Sequence, residues 1–484
     1  MAFSFYWHDY ETFGIHPQKD RPAQFAGVRT DENLNIIDDP MVVYCKVPLD
    51  YLPNPDSCVV TGITPQLADE KGVCEAQFIR QILSQLAQSN TCTVGYNNLR
   101  FDDEVTRNCL YRNFYDPYAR EWQNGNSRWD LLDVIRAARA LRPEGITWPV
   151  DQDGNPTLKL DHLTVANGIA HESAHDALSD VYATIAIAKL LKQVQPKLYQ
   201  FLFQNRGKNE AYQLLKLGEF APVVHVSGKY PTIKNNLAIV LPICKHPSNT
   251  NGVIVYDLSE DPSDLFSLSV EEIRLRIFTA TKDLPENTQR IPLKTVHLNK
   301  CPVLAPLSVI RPIDVERLSI DKSLCEKHRQ KLIAATGLAE KIAEVFNDAE
   351  HLPKITDPDL AIYSGGFFSN HDKQQMAKIH TAKPDQLSKL TINFNDRRLD
   401  EMFFRYKARN YPNELKPEET QQWLEFCHHR LNQKEIAAID FESYFSRLQD
   451  LRKHNLDSPL IDNLFSYGEQ RMHELDITSL PKLN

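Results

Sequence analysis

The first 190 or so residues of this 484-residue chain alternate apolar, strand-like segments with helical ones, and this alternation restricts what that part can fold into. The strand-like segments lie at residues 3–13, 24–48 and 92–97. The helical patterns lie at residues 75–88, about 101–113, from 128 onward, and 176–192. Strands interleaved with helices are typical of α/β folds, so we expect an α/β domain that ends near residue 192.

The pattern changes after this region. Residues 222–300 contain short alternating segments separated by turn-rich loops, which predicts a small all-β unit. From about residue 352 the pattern is mostly helical, for example over residues 418–429 and 444–453. A chain of this length is too long for one hydrophobic core. We therefore expect two to four domains.

The composition limits the class of protein. The hydrophobic content of 42% and the charged content of 25% are ordinary for a globular protein. The net charge of −9 means that any grip on nucleic acid must come from a local positive surface. The nine cysteines show no CxxC spacing, and no apolar run approaches the ~20 residues that span a bilayer. Because no leader pattern begins the sequence, these features predict a soluble, cytoplasmic protein without membrane contact.

Two carboxylates, Asp9 and Glu11, lie in the aromatic strand at residues 3–13. Side chains of a strand alternate between its faces, so these two point the same way. Carboxylates on one face repel each other unless a cation lies between them, and hard cations such as Mg²⁺ take oxygen ligands of this kind. The pair predicts a metal site, although an Asp-x-Glu pair at a strand edge is also common without one.

Three more polar residues complete the candidate site: Asp102, His175 and Asp180. Asp102 lies on a helical face that can look inward, which favours it over its neighbour Asp103. Asp180 lies in apolar sequence, where a carboxylate is costly unless it is paired or metal-bound. Positions five apart on a continuous helix point roughly 140° away from each other, so His175 and Asp180 cannot share one helical face. His175 therefore suits a position just before the helix, as a base beside the metal ligand Asp180. Taken singly, such residues occur more often at helix ends, in caps or at polar positions of a helix. Together they suggest metal-assisted cleavage of a phosphodiester.

In order and spacing, these five residues resemble the DEDD exonucleases of the histidine subtype, and more closely bacterial exonuclease I. The resemblance runs nearly end to end and is carried by residues 8–14, 20–25, 61–65, 95–98, 100–104, 126–130, 141–146, 174–177, 299–304 and 366–369. It implies three domains: an α/β, ribonuclease-H-like exonuclease domain at residues 1–192, a small β-barrel domain like a Src-homology-3 module at residues 196–349, and an α-helical C-terminal domain at residues 352–484. It also implies a monomeric 3′→5′ exodeoxyribonuclease that degrades single-stranded DNA to 5′-mononucleotides in DNA repair and recombination.

The resemblance further implies a role for each site residue. Asp9, Glu11 and Asp180 would hold Mg²⁺, and Asp102 would assist at a second metal ion. Mn²⁺ would be able to substitute. His175 would be the general base that activates the attacking water, and Glu11 would also contact the substrate. One ion would help to make the nucleophile and the other would stabilise the leaving 3′ oxygen.

Between residues 100 and 142 lie eight arginines and no lysine, interspersed with aromatic residues. Arginines with aromatics suit single strands, because charge follows the phosphates and rings stack on the bases. Seven acidic residues share the segment, so paired charges and core aromatics are the alternative for most of these residues. The resemblance points to Arg107, Tyr118, Trp122 and Arg136 as strand contacts. The resemblance also implies a strand contact at Lys159, where relatives carry arginine. Lysine keeps the positive charge but cannot bind a phosphate in the bidentate way that arginine does.

The resemblance also implies a contact with the acidic C-terminal tail of single-strand-binding protein, through Arg142 and Arg311, for which plain surface arginines are the alternative. Two other functions stay open. A relative that acts on RNA or proofreads for a polymerase is less compatible with the large added domains, which suggest a grip on a long strand. A non-catalytic nucleic-acid-binding scaffold would have no need of crowded carboxylates.

Overall fold

The computed structural model describes residues 2–171, 176–347, 355–433, 437–454 and 458–477. The chain divides into two compact units. The first unit comprises Met1–Ser127, Glu172–Tyr182 and Lys354–Asn484, and the second comprises Arg128–His171 and Ala183–Pro353. The start of the chain and its C-terminal helices therefore belong to the same unit, although more than 200 residues separate them in sequence.

The elements up to residue 194 follow the predicted alternation. In chain order they are β1 (Ser4–Thr12), β2 (Pro22–Thr30), β3 (Met41–Tyr44), α1 (Pro55–Thr61), α2 (Pro65–Lys71), α3 (Glu75–Leu86), β4 (Thr91–Gly95), α4 (Asp102–Arg112), β5 (Ser127–Asp130), α5 (Leu131–Leu141), α6 (Leu160–Ala166) and α7 (Ala177–Val194). The predicted strands and helices at the positions of β1 to β4, α3, α4 and α7 are thus confirmed.

In the first unit, four strands lie side by side in the order β3-β2-β1-β4. Strand β1 is antiparallel to β2 and parallel to β4, and β2 is antiparallel to β3. Tyr6 and Tyr10 of β1 pack with Phe78 of α3 in one core cluster. Because side chains alternate along a strand, Asp9 and Glu11 point to the face opposite these tyrosines.

The prediction of a helix that begins at residue 128 is wrong at its start. Ser127–Asp130 forms strand β5, and helix α5 begins at Leu131. Asp130 has an extended backbone, with φ −124° and ψ 113°, and its side chain accepts a hydrogen bond from the N–H of Leu132. Asp130 is therefore the N-cap of α5, and the residues before an N-cap lie outside the helix.

The second unit contains a five-stranded sheet in the order β10-β6-β7-β8-β9, in which all neighbours are antiparallel. Its elements after α7 are α8 (Pro196–Gln204), α9 (Lys208–Leu215), β6 (Val223–Val226), β7 (Leu237–Lys245), β8 (Gly252–Asp257), α10 (Ser263–Ser267), α11 (Val270–Phe278), β9 (Leu293–His297), β10 (Val303–Pro306), α12 (Pro312–Arg317), α13 (Lys322–Ala334) and α14 (Leu338–Val345). The predicted all-β unit is confirmed in β6 to β9, but α10, α11 and β10 were not predicted. Helix α11 begins with a capping box at Ser269 and Glu272, and this local signal accounts for a helix between two strands.

The C-terminal part of the first unit is helical, as predicted. Its helices are α15 (Asn370–Thr381), α16 (Arg398–Asn410), α17 (Pro417–Leu431), α18 (Phe441–His454) and α19 (Pro459–Glu474). Trp423 of α17 and Tyr444 of α18 lie in the same buried cluster as Phe13 and Leu52 from the start of the chain. Burial of this shared apolar surface holds the C-terminal helices to the sheet region. Within the part of the chain that the structure describes, no helix combines the length and the apolar character needed to cross a membrane.

Candidate active site

Three carboxylates from two elements converge in the first unit. Asp9 and Glu11 come from β1, and Asp180 comes from the first turn of α7. One oxygen of each carboxylate lies within 4.8 Å of those of the other two. Glu11 is buried, while Asp9 and Asp180 are half-buried. The structure therefore brings together three of the predicted metal ligands, although Asp180 follows Glu11 by 169 positions in the chain.

The crowding changes the proton affinity of these groups. Burial and the charges of Asp102, Glu11 and Asp180 raise the pKa of Asp9 well above its ordinary value. Burial, followed by Asp180 and Asp102, raises the pKa of Glu11 to about 8. Carboxylates this close together hold protons unless a cation offsets their charge. The donor set consists of oxygens alone, which fits a hard divalent cation.

Asp102 lies beside this group and is fixed by the backbone. Its Oδ1 accepts a hydrogen bond from the N–H of Tyr10 at 3.0 Å, and its charge contributes to the raised pKa of both Asp9 and Glu11. The neighbouring Asp103 accepts from Arg120 at 2.6 Å, with both side chains fully buried. Asp103 therefore has a structural ion-pair partner, while the charge of Asp102 acts on Asp9 and Glu11, and the role of Asp102 stays a prediction.

Two residues near the cluster were not predicted from the sequence. Asp176 accepts a hydrogen bond from the N–H of Ser179 at 3.2 Å, and its charge contributes to the raised pKa of Glu11. An aspartate at the start of an apolar helix is a capping signal that could have identified it. Gln24 of β2 contacts Ala177 at the start of α7, and no local pattern predicts such a contact. The predicted base, His175, lies outside the described residues.

Arg107 is held by two carboxylates in the first unit. Its Nε and Nη2 donate to Glu121 at 2.7 and 2.9 Å, and its Nη1 donates to Glu104 at 2.7 Å. The guanidinium carbon also lies 5.4 Å from the centre of the Tyr118 ring. Arg107 is thus a paired cation that supports Tyr118, and a phosphate would compete with two carboxylates for it.

The aromatic residues of this segment differ in exposure. Trp122 is 66% exposed, so it is available for stacking. Tyr118 is half-buried and meets the edge of Phe367, with ring centres 6.5 Å apart. In the second unit, Trp129 is buried edge-on against Tyr199 and Phe203, as the core alternative predicts.

The remaining predicted contacts lie in the second unit. Lys159 is exposed. Arg136 donates to Asp133 at 2.6 Å and lies so close to Gly228 that an added Cβ there would be 2.8 Å from the guanidinium carbon. Glycine at position 228 is therefore what allows Arg136 to lie against the backbone.

The two residues predicted to bind a protein partner meet at a shared carboxylate. Arg311 lies 2.7 Å from Asp314, and Arg142 lies 4.0 Å from the same side chain, which is itself buried. Arg311 also contacts Glu144 at 2.7 Å. Arg317 contacts Asp314 as well, at 2.9 Å, so the structure brings Arg142 and Arg311 into a cluster of three arginines and two carboxylates.

Comparison with known proteins accounts for all three parts of the chain. A family model described as Exonuclease matches residues 6–188, one described as Exonuclease I SH3-like domain matches residues 206–348, and one described as Exonuclease I C-terminal domain matches residues 356–471. Exodeoxyribonuclease I of Haemophilus influenzae is 46% identical over 468 residues, which cover 96% of this chain and 98% of that protein.

Solved structures point to the same family as the sequence comparisons. The crystal structure of Escherichia coli Exonuclease I in complex with a dA16 oligonucleotide matches with a TM-score of 0.93 at 46% identity, covering 97% of this chain and 100% of that chain. A crystal structure of SSB/Exonuclease I in complex with the inhibitor CFAM matches with a TM-score of 0.89 at 43% identity and the same coverage. The predicted fold class is therefore confirmed, while the bounds of the three domains stay a prediction. The chain belongs to the exodeoxyribonuclease I family.

Proposed function

We propose that this protein is a Mg²⁺-dependent 3′→5′ exonuclease that degrades single-stranded DNA to 5′-mononucleotides, in DNA repair and recombination. The convergence of Asp9, Glu11 and Asp180 within 4.8 Å carries this proposal, because such a cluster is suited to the chemistry of a nuclease. Membership of the exodeoxyribonuclease I family and the oligonucleotide bound to the Escherichia coli relative support the substrate.

Asp9, Glu11 and Asp180 would hold one Mg²⁺ ion, and Asp102 would serve a second, with Mn²⁺ as a substitute. The raised pKa values of Asp9 and Glu11 support this assignment, because a cation would offset the repulsion that raises them. When bound, such ions stabilise negative charge on the phosphate and make water more acidic.

The chain's own residues would perform the remaining tasks. His175 would take the proton of the attacking water as general base, an assignment that rests on the sequence. Asp102 is kept in place by its hydrogen bond from the Tyr10 amide. Glu11, on the same strand as Asp9, would orient the terminal nucleotide.

The strand would be held by stacking and by charge. Trp122 and Tyr118 would stack on bases, and Arg107, Arg136 and Lys159 would face phosphates. The exposure of Trp122 supports the first role. Arg107 and Arg136 already contact carboxylates, so each would exchange or share these partners when a phosphate approaches.

We also propose that the cluster of Arg142 and Arg311 binds the acidic C-terminal tail of single-strand-binding protein. Three arginines, Arg142, Arg311 and Arg317, meet there against only two carboxylates, Asp314 and Glu144, so the cluster keeps a positive charge that attracts an acidic tail. The SSB/Exonuclease I structure of a relative supports this kind of partner. We expect the enzyme to act as a monomer.

A digestion experiment tests the proposal. End-labelled single-stranded DNA, double-stranded DNA and RNA oligomers are incubated with the protein in Mg²⁺ or in EDTA. We expect shortening of single-stranded DNA from its 3′ end to 5′-mononucleotides, in Mg²⁺ only. Equal digestion of RNA would favour the RNA-acting alternative, and binding without cleavage would favour a scaffold.

Two variants test the assigned residues. Asp9→Asn should abolish cleavage at saturating Mg²⁺, while Asp56→Asn, which changes a carboxylate of an exposed ion pair with Arg447, should not. His175→Ala should lower turnover by roughly 10²–10⁴-fold, with DNA affinity nearly unchanged. Near-wild-type turnover in His175→Ala would show that the histidine takes no part in the mechanism.

A further inference from the structure

Gln24 is a buried polar residue between the two elements that carry the carboxylate cluster. It lies on β2 directly opposite Glu11 of β1 in the antiparallel register, and only 2% of it is exposed. Residues that lie opposite each other in such a pair project to the same face of the sheet. Gln24 therefore shares its face with Glu11.

Both ends of the Gln24 amide have hydrogen-bond partners. Its Oε1 accepts from the backbone N–H of Ala177 at 3.3 Å, and its Nε2 donates to the Tyr44 hydroxyl at 2.8 Å. A backbone N–H can only donate, so the amide oxygen must face Ala177 and the nitrogen must face Tyr44. Tyr44 lies opposite Gln24 on β3, so the orientation of the amide is set by the sheet itself.

Ala177 is the first residue of α7, and Asp180 follows three residues later. The first N–H groups of a helix lack partners within the helix, and the Gln24 oxygen satisfies one of them. A single side chain thus connects the strand pair that carries Asp9 and Glu11 to the helical turn that carries Asp180.

We propose that Gln24 is a positioning residue for the metal site, one that holds the first turn of α7 at the distance from β1 at which the three carboxylates can share a cation. This inference rests on the proposed metal site. Residues of this kind, which orient the ligands of a metal, typically account for 10–100-fold in affinity.

Calorimetric titration of the DNA-free protein with Mn²⁺ tests the inference without relying on activity. Gln24→Met keeps the size of the side chain but removes both hydrogen bonds, and we expect it to weaken Mn²⁺ binding about tenfold. Gln24→Glu keeps an oxygen toward Ala177 and can accept from the Tyr44 hydroxyl, so it should bind Mn²⁺ at least as tightly as the wild type. Tyr44→Phe removes only the group that orients the amide, and it should cause a smaller weakening than Gln24→Met.

A control variant shows what the loss of an ordinary buried glutamine does to the protein. Gln375→Met changes another buried glutamine of the first unit, on α15, and should lower the melting temperature without changing Mn²⁺ affinity. Wild-type Mn²⁺ affinity in Gln24→Met, or an equal loss in Gln24→Met and Gln24→Glu, would overturn the inference. If Gln24→Met does not fold, wild-type affinity in Tyr44→Phe would overturn it.

Asp9→Asn separates this inference from the proposal on which it rests. If Asp9→Asn leaves Mn²⁺ binding intact, the metal site itself is misassigned. If Asp9→Asn abolishes binding while Gln24→Met leaves it unchanged, the metal site stands and only the role of Gln24 fails.

Discussion

The guanidinium of Arg409 on α16 contacts both carboxylate oxygens of Asp50, with N–O distances of 2.8 to 3.2 Å. The two residues are 359 positions apart in the chain, and both side chains are buried. The same guanidinium contacts Asp359 at 2.6 Å. One arginine of the C-terminal helices therefore joins a loop near the start of the chain to a segment that precedes α15.

Arg409 belongs to a closed ring in which arginines and aspartates alternate. In order around the ring, its members are Asp50, Arg409, Asp359, Arg405, Asp357 and Arg430. Burial alone would raise the pKa of Asp50, but Arg409 and Arg430 hold it below its ordinary value. Each charge in the ring is thus offset by two neighbours, and removal of one member leaves each of its neighbours with one buried counter-charge fewer.

Asp50→Asn should destabilise the first unit by about 3–5 kcal/mol, because it leaves Arg409 and Arg430 without one of their counter-charges in a buried place. Urea unfolding monitored by circular dichroism measures the loss. Asp56→Asn, in an exposed ion pair with Arg447, is the control and should change stability little. Equal stability of the wild type and Asp50→Asn would show that the ring is not a stabilising element.

His225 in the second unit should make stability fall in mild acid. Burial, with a smaller effect from Lys294, lowers the pKa of His225 well below its ordinary value. The folded histidine therefore stays neutral, while the unfolded one binds a proton below about pH 6.5. Since the unfolded state binds more protons, stability is full above this pH and decreases below it, by at most about 1.4 kcal/mol per pH unit.

Urea unfolding at pH 7.5 and pH 5.5 measures this effect. His225→Gln can still hydrogen bond to Tyr230, whose hydroxyl lies 3.0 Å from Nδ1 in the wild type, but it cannot take up a proton. The variant should therefore lose less stability between the two pH values than the wild type. The same loss in both proteins would contradict the assignment to His225.

Trp122→Ala should weaken the binding of single-stranded oligonucleotides about tenfold, because stacking of a base on an aromatic ring contributes roughly 1–3 kcal/mol. Fluorescence anisotropy in EDTA measures affinity without cleavage. The melting temperature should stay near that of the wild type, since the side chain is 66% exposed.

Trp129→Ala is the matched comparison in the second unit. Trp129 is 3% exposed, so its truncation should cost about 3–5 kcal/mol of stability. A Trp122→Ala variant with wild-type affinity would rule out the proposed stacking role.

Arg311→Ala should weaken the binding of a synthetic acidic tail peptide of single-strand-binding protein, because it removes one of the three arginines, Arg142, Arg311 and Arg317, that meet at Asp314. The difference from the wild type should shrink at high salt, which screens exposed charges. Titration of labelled peptide measures both effects. Arg276→Ala, which changes an arginine paired with Asp264 elsewhere in the unit, should bind the peptide normally. Unchanged peptide affinity in Arg311→Ala would exclude this cluster as the tail site.

Local periodicity determined much of the fold and part of the candidate site. The alternation of side chains along a strand was enough to place Asp9 and Glu11 on one face of β1, where the structure has them. Helical periodicity favoured Asp102 over Asp103, and the structure pairs Asp103 with Arg120 instead. The same reasoning placed the start of helix α5 three residues too early, within β5, because the capping role of Asp130 depends on backbone geometry.

Only the tertiary structure decided which distant groups meet. It gave Arg107 two carboxylate partners, connected Gln24 to the first residue of α7, and closed the ionic ring through Asp50 and Arg409. A sequence pattern shows which side of a strand or helix is apolar, because the regular backbone repeat of that element fixes the direction of each side chain. Hydrogen bonds between residues far apart in the chain depend on distances and directions that arise only when separate elements pack together.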